Sequence, residues 1–527
     1  MSVLAAPDSA TTHPPVFSPE GIAALARRIR EPVHVVSGPS GRELGLATGP
    51  VPDARVLGTL PPLYPEWLGG RAFCEAHGVR FPYVAGEMAN GIATTRMVSA
   101  TARAEMLGFF GAGGLAYPEV ERAVHTLADE LRSTPNWGVN LIHSPAEPAL
   151  ELRVAELLLR CGVPRISASA FMELTPAVVL CSARGLRRGA DGGIVRGARL
   201  FAKVSRPEVA ERFLSPAPAA LLDGLVAQGR LTPGEAGLAA LVPVAEDITV
   251  EADSGGHTDN RPLSVLLPRI ALLRDTLCRR FGYRRAVRLG AAGGLGTPDA
   301  VASAFALGAS YVVVGSVNQT AVEAGLSDEA KAMLCEADVA DVAMAPAADM
   351  FELGVTLQVL SRGTLFARRA ARLHTVYREH GSLEEIPPAA RASIEREVLR
   401  APFDEVWQRT RAFWERRDPS EIARAEADPK HRMALVFRWY LGSSSRWAIT
   451  GETARRVDYQ IWCGPAMGAF NRWVAGSFLA DPANRSVTQI ALNLLEGAAV
   501  LTRAHQLRTY GVPLPSDAFA FAPCELA

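Results

Sequence analysis

Ala286-Val-Arg-Leu-Gly-Ala-Ala-Gly-Gly-Leu-Gly-Thr-Pro-Asp299, followed by Tyr311-Val-Val-Val-Gly-Ser316, is the stretch that decides the fold. A short apolar run ends in a glycine turn, a helix begins, and a second apolar run ends in Gly315-Ser316. Thr297-Pro298-Asp299 reads as an N-cap with proline at the first helical position, and Gly308 stops the helix. This is one strand–helix–strand unit, which implies parallel pairing and a right-handed crossover. Towards the N-terminus the same grammar recurs. Apolar runs ending in small or polar residues occupy 82–86, 106–111, 137–140, 165–168, 200–203 and 247–251, with helix-like stretches between them. Leu150, Val154, Leu157 and Leu158 make a helical stripe that Gly162 ends. Eight such units over about 250 residues predict an α/β fold, a (β/α)8 TIM barrel. An open doubly wound sheet is the competing arrangement, because periodicity does not show closure.

Outside that core the texture changes. Residues 1–80 are rich in Pro and Gly and read as a small N-terminal accessory segment. The barrel is expected over 81–325, with 205–244 too long for a plain connection and read as a helical insertion. Beyond Ser316 the strand signal fades, and 326–527 reads as a mostly helical C-terminal domain. There Val487, Ile490, Leu494, Ala498 and Leu501 share one helix face. The region around Trp447, Trp462, Cys463 and Trp473 is aromatic and rich in glycine.

Composition excludes several classes. The chain has 55 Lys+Arg against 55 Asp+Glu, a formal charge of zero, which argues against nucleic acid as a partner. Its only lysines are Lys203, Lys331 and Lys430, none in a Gly-Lys-Ser/Thr loop, so the usual ATP/GTP-binding loop is absent. Seven scattered cysteines without a C-x-x-C pair fit a reducing cytoplasm rather than a disulfide scaffold or zinc ribbon. No metal site is expected. No apolar run approaches about 18 residues, and no signal peptide is read at the N-terminus, so a cytoplasmic protein without a membrane span is expected.

Three glycine-rich turns are candidates for chemistry. Asp253-Ser-Gly-Gly-His257-Thr-Asp-Asn260 follows a strand, where a barrel places its active loops. His257 titrates near neutrality and is the candidate acid or base; the alternative is a glycine-rich turn with a surface histidine. Gly293 and Gly294, one strand before Gly315-Ser316, suit a phosphate shared by the last two strands. Gly111-Ala-Gly113-Gly-Leu-Ala116 fits the dinucleotide fingerprint, yet reads better as a βα turn. Lys203 and Asn140 each end a strand. Lys203 could neutralise a phosphate or a reduced flavin, and the Asn140 amide could bond a ring edge. Cys463 has no basic neighbour in sequence and reads as buried and inert. No G-x-S-x-G elbow is present.

Gly86-Glu-Met88, Gly-Val-Asn140-Leu, Lys203-Val-Ser, Gly255-Gly-His257, Ala-Ala-Gly293-Gly294 and Gly315-Ser316 come in the order of the FMN-dependent nitronate monooxygenase and enoyl-ACP reductase barrel superfamily. Three longer strings resemble the PfaD family, the trans-acting enoyl reductases of polyunsaturated fatty acid and polyketide synthases. These are Gly86-Glu-Met-Ala-Asn-Gly-Ile-Ala93, Asp253-Ser-Gly-Gly-His-Thr-Asp-Asn-Arg-Pro262 and Trp462-Cys-Gly-Pro-Ala-Met-Gly-Ala-Phe-Asn471. The similarity runs from about residue 55 to about residue 515. Glu87 departs from the glycine that many superfamily members carry.

The resemblance implies FMN across the barrel mouth, held by Ala85, Gly86, Met88, Asn140, Lys203, Gly255, Gly256, Gly293, Gly294, Gly315 and Ser316. The last four would take the phosphate. It implies NADPH, or NADH, as reductant of the flavin, hydride transfer to the β-carbon of an enoyl thioester, and His257 as proton donor to the α-carbon. An acyl carrier protein is the implied partner. Arg362, Arg368, Arg369 and Arg372 are a candidate docking patch for its acidic surface. The helical domain would shape an acyl tunnel and makes a homodimer plausible. A nitronate monooxygenase and a non-catalytic assembly subunit of a synthase are the competing functions.

Overall fold

The computed structural model describes residues 14–49, 51, 55–145 and 147–527. Every expected barrel run is a strand. They are β1 Tyr83–Ala85, β2 Leu107–Phe110, β3 Trp137–Ile142, β4 Arg165–Ser169, β5 Arg199–Val204, β6 Asp247–Glu251, β7 Arg288–Ala292 and β8 Tyr311–Val314. All are parallel, and β8 returns to β1 with Val312 opposite Tyr83 and Val314 opposite Ala85. That pairing closes the barrel and excludes the open sheet. Both faces of each strand are covered, which is why the runs read as continuously apolar rather than alternating.

The interior is filled by rings. Phe109, Phe201 and Tyr311 meet edge to face, and Phe73 stacks on Tyr311 with centroids 4.3 Å apart. Phe73 belongs to the helix Arg71–His77, which plugs the N-terminal end of the barrel. This packed centre leaves ligand chemistry to the loops.

Seven helices follow their strands in turn: α1 Thr95–Arg103, α2 Tyr117–Glu130, α3 Pro148–Arg160, α4 Pro176–Ala183, α5 Pro207–Leu214, α6 Leu263–Phe281 and α7 Pro298–Ala306. After α5 the helices Ala219–Ala227 and Pro233–Ala239 fill the long segment before β6. The eighth ring position is not taken by the residues next to β8. Val487–Thr509, here α8, packs along α7, touches α1 and shares the barrel's outer core through Val487, Ile490, Leu494 and Leu501. Residues 326–486 therefore lie between β8 and the helix that completes its unit.

That excursion contains strands where the sequence reading has none. β9 Val342–Pro346 and β10 Thr356–Leu360 form an antiparallel hairpin, and β10 pairs with the two-residue strand Gly256–His257. The rest is helical, with a separate core built from Phe366, Leu373, Val398, Phe403, Val406 and Phe437. The N-terminal unit has helix Pro19–Ala26 and strands Val33–Ser37, Leu44–Ala47 and Arg55–Leu60, and shares a core with Leu507 and Val512. Fully buried Arg503 on α8 ties the two together by donating to the carbonyls of Ile29, Glu31 and Pro61. Among the described residues no helix is long and apolar enough to cross a membrane.

Candidate functional site

The residues singled out from sequence gather at the C-terminal ends of the strands. Ala85 ends β1 and is buried, Gly86 follows it, and Met88 is buried in the next turn. Asn140 lies in β3 and is buried. Its amide nitrogen donates to the Ser167 carbonyl at 3.0 Å and to Ser169 Oγ at 2.7 Å, both on β4. Its carbonyl oxygen accepts no hydrogen bond among the described residues.

Lys203 on β5 is the cation of the mouth. Its Nζ lies 3.2 Å from Glu251 Oε1 at the end of β6 and 3.5 Å from Glu87 Oε1 in the β1 loop. Ser167 Oγ donates to the same Glu87 oxygen at 3.0 Å. Burial alone would lower the ammonium pKa, but the two carboxylates outweigh it and hold Lys203 above its ordinary value. Lys203 is therefore a permanent cation. Glu87, the departure noted in sequence, is its counter-ion.

The Gly255-Gly256-His257 loop leaves β6 and crosses the Trp462-Cys463-Gly464 string backbone against backbone. A Cβ on Gly255 would stand 2.8 Å from the Cys463 nitrogen, and one on Gly464 would stand 2.9 Å from the Gly255 nitrogen. Both motifs need glycine because they touch each other. Asp253 is fastened from across the crossing by Gln358 Nε2 at 2.8 Å and from its own loop by Asn260 Nδ2 at 2.9 Å. His257 is half-buried, with Nε2 3.3 Å from Asp349 Oδ1 and off hydrogen-bond alignment. Burial lowers its pKa, the Asp349 carboxylate more than offsets that, and the imidazole titrates above its ordinary value.

At the ends of β7 and β8 the glycines differ from one another. Gly293 has φ +85°, and a Cβ there would press on the backbone of Ala252 and Asp253 at 2.7 Å. Gly294 has φ +73°, and nothing lies within 4 Å of where its Cβ would stand; Gly315 is equally open. Ser316 begins the one-turn helix Ser316–Thr320. In that turn Gln319 donates to the Trp462 carbonyl at 2.5 Å, while its Oε1 is buried without a partner among the described residues.

Three other sequence candidates resolve differently. Gly111 to Ala116 is the βα turn between β2 and α2, and Gly114 packs against Asn90 of the β1 loop. Cys463 is fully buried, and burial pushes its thiol up to about 12, so it is no nucleophile near neutrality. Of the four arginines read as a docking patch, Arg369 is bound to the buried Asp458. Arg362 meets Asp341 and Arg372 meets Glu397, each at 3.4 Å. Among the described residues no group of three or more His, Cys, Asp or Glu is placed to hold a metal ion.

Sequence reasoning missed Glu251, Asp349, Gln319 and Gln358. Glu251 sits at a strand end, a position that could have flagged it. Gln319 lies in the turn directly after β8. Asp349 and Gln358 reach the mouth only because the excursion folds back over it, and no local pattern announces that.

The comparisons agree with the barrel fold. The chain is similar to the enoyl reductase domain of MlnA from the macrolactin biosynthesis cluster of Bacillus amyloliquefaciens. That structure has 35% sequence identity and a TM-score of 0.80, and the match covers 84% of this chain and 99% of that one. The polyketide biosynthesis protein PksE of Bacillus subtilis is 43% identical over 445 residues, 84% of this chain and 58% of that protein. A polyunsaturated fatty acid synthase subunit from Thraustochytrium sp. is 47% identical over 448 residues, 84% of this chain and 30% of that protein. The chain thus spans under two thirds of these curated relatives. Residues 380–459 match the family described as [acyl-carrier-protein] S-malonyltransferase, inserted helical domain.

Proposed function

The chain belongs to the PfaD-like enoyl reductase family, and on that premise we propose that it reduces enoyl thioesters held on an acyl carrier protein. It acts in trans, in the cytoplasm, for a polyketide or polyunsaturated fatty acid synthase, with FMN bound and NADPH or NADH as reductant. The observation that carries this reading is the open space beside Gly294 and Gly315, at the ends of adjacent strands and within one mouth with the Lys203 cation. An anion seated on exposed backbone N–H groups needs that freedom from side chains.

The residues fit FMN. Gly293, Gly294, Gly315 and Ser316 would hold its phosphate. Ala85, Gly86, Met88, Asn140, Gly255 and Gly256 would border its ring, with the free carbonyl oxygen of Asn140 as acceptor and Lys203 as the fixed positive charge. When bound, FMN supplies the hydride transfer that links NADPH to the β-carbon of the enoyl group. The protein does the rest. Glu87 and Glu251 keep Lys203 charged and in place, and His257 holds the proton that the α-carbon must gain. The carrier protein meets the helical excursion, and the chain pairs as a homodimer. We divide it into an accessory segment over 1–80, a barrel over 81–325 completed by α8, and a helical module over the remaining C-terminal residues.

The test is anaerobic mixing. FMN-loaded protein given NADPH should lose its visible flavin absorption, and crotonyl-acyl carrier protein should restore it while butyryl product appears. Failure of NADPH to bleach the flavin, or turnover of alkyl nitronates with oxygen in place of enoyl reduction, would contradict the proposal.

A further inference from the structure

His257 is not left on a free loop. Its two-residue strand pairs with β10, Gly256 opposite Gln358 and His257 opposite Leu357. The β9–β10 hairpin is closed by the Ala347 N–H donating to the Val355 carbonyl at 2.9 Å. Phe351 anchors that hairpin: it is fully buried, with the His374 and Tyr377 rings each 5.2 Å away. The neighbouring Glu352 is paired with Arg438 at 3.1 Å. A loop held this way brings Asp349 Oδ1 to 3.3 Å from His257 Nε2. Among the described residues nothing hydrogen-bonds the imidazole, and Asp349 is its one ion-pair contact.

We propose that Asp349 is the positioning residue for His257, orienting the ring by its Nε2 edge so that Nδ1 carries the proton delivered to the substrate α-carbon. This rests on the reading of His257 as proton donor. In the step, the Nδ1–H bond breaks as the α-carbon–hydrogen bond forms. The hydride at the β-carbon comes from NADPH by way of FMN. Imidazolium becomes neutral imidazole, with Nε2–H still directed at Asp349, and solvent restores the proton. The present pair is at ion-pair distance and off alignment, the looseness common to acid–base pairs before substrate binds.

The surroundings are consistent. The charged groups facing His257 are Asp349 from the hairpin, Glu251 from β6 and Lys203 from β5, and Arg438 acts on Asp349 in turn. His257 is half-buried and Asp349 is exposed; His257 is held above its ordinary pKa and Asp349 below its own, each because of the other.

The experiment is an NMR titration of the full chain carrying ¹³C-labelled histidine, with His257→Ala to assign the signal, alongside the pH profile of enoyl turnover. In Asp349→Asn the His257 midpoint should move to lower pH by about 1 pH unit. The limb of the turnover profile set by the acid should move with it, while the rate of flavin reduction by NADPH stays unchanged. Asp349→Glu should recover most of both shifts, which a merely structural contact would not do. A His257 midpoint unchanged in Asp349→Asn overturns the proposal. A shifted midpoint with an unshifted turnover profile instead overturns His257 as proton donor.

Discussion

The two ends of the barrel both carry clusters of opposite charge, and they differ in what is left over. At the N-terminal end Asp247 is fully buried and accepts from Arg288 Nε at 2.6 Å and Nη2 at 2.7 Å. His77 Nε2 lies 3.1 Å from Asp247 Oδ2 on one side, and Arg165 Nε donates to His77 Nδ1 at 3.3 Å on the other. That pattern assigns a neutral His77 donating through Nε2. At the C-terminal end Lys203 has two carboxylates, but among the described residues His257 Nε2 and Gln319 Oε1 lack hydrogen-bond partners, and Gly294 and Gly315 border open space. A saturated cluster under a packed interior serves stability. An unsaturated one beside open backbone serves a ligand.

The largest break of this contrast should come from below. Asp247→Asn leaves Arg288 and His77 without their carboxylate and should cost about 3–5 kcal/mol, read as a lower denaturation midpoint. Turnover per folded molecule should hardly change. His257→Ala should do the reverse. Flavin binding, flavin reduction and the denaturation midpoint should stay near the parent values, while enoyl turnover falls by about 10²–10⁴-fold. Lys203→Met removes the fixed cation from between Glu87 and Glu251, and should weaken FMN binding by about 10–100-fold in a fluorescence titration.

The smallest expected effect is in pH. Burial would raise the pKa of Asp247, but His77 and Arg288 hold it well below the carboxylate range; burial, with Arg288 and Arg165, outweighs Asp247 and lowers that of His77. Both folded values are depressed. Their stabilisation is therefore complete above the unfolded pKa values, about 6.5 for His and 3.9 for Asp, and is lost as pH falls below each. Denaturation midpoints should drop gently below pH 6.5 and steeply below pH 4. The steep part should shrink in Asp247→Asn.

The barrel was legible because each buried strand is an apolar run cut off by glycine or a polar residue. Strand ends are also where Lys203, Asn140 and the Gly-Gly-His turn stand. Closure was not legible, since β8 finds β1 across the whole domain. Nor was the return of α8, because a helical stripe reads the same whichever partner it packs on. The hairpin of β9 and β10 escaped because its third strand has only two residues and lies far upstream. With it went Asp349 and Gln358. Glu87 stood out as an odd residue in a glycine position, but its pairing with Lys203 joins two strand ends that no local window contains.

The grip on a phosphate at the ends of β7 and β8 is tested most directly by titrating flavin-free protein with FMN and, separately, with riboflavin, which lacks the phosphate. FMN should bind more tightly by about 100-fold or more, the value of a charged group meeting several backbone donors. Equal affinity for the two, or no binding of either, would contradict it.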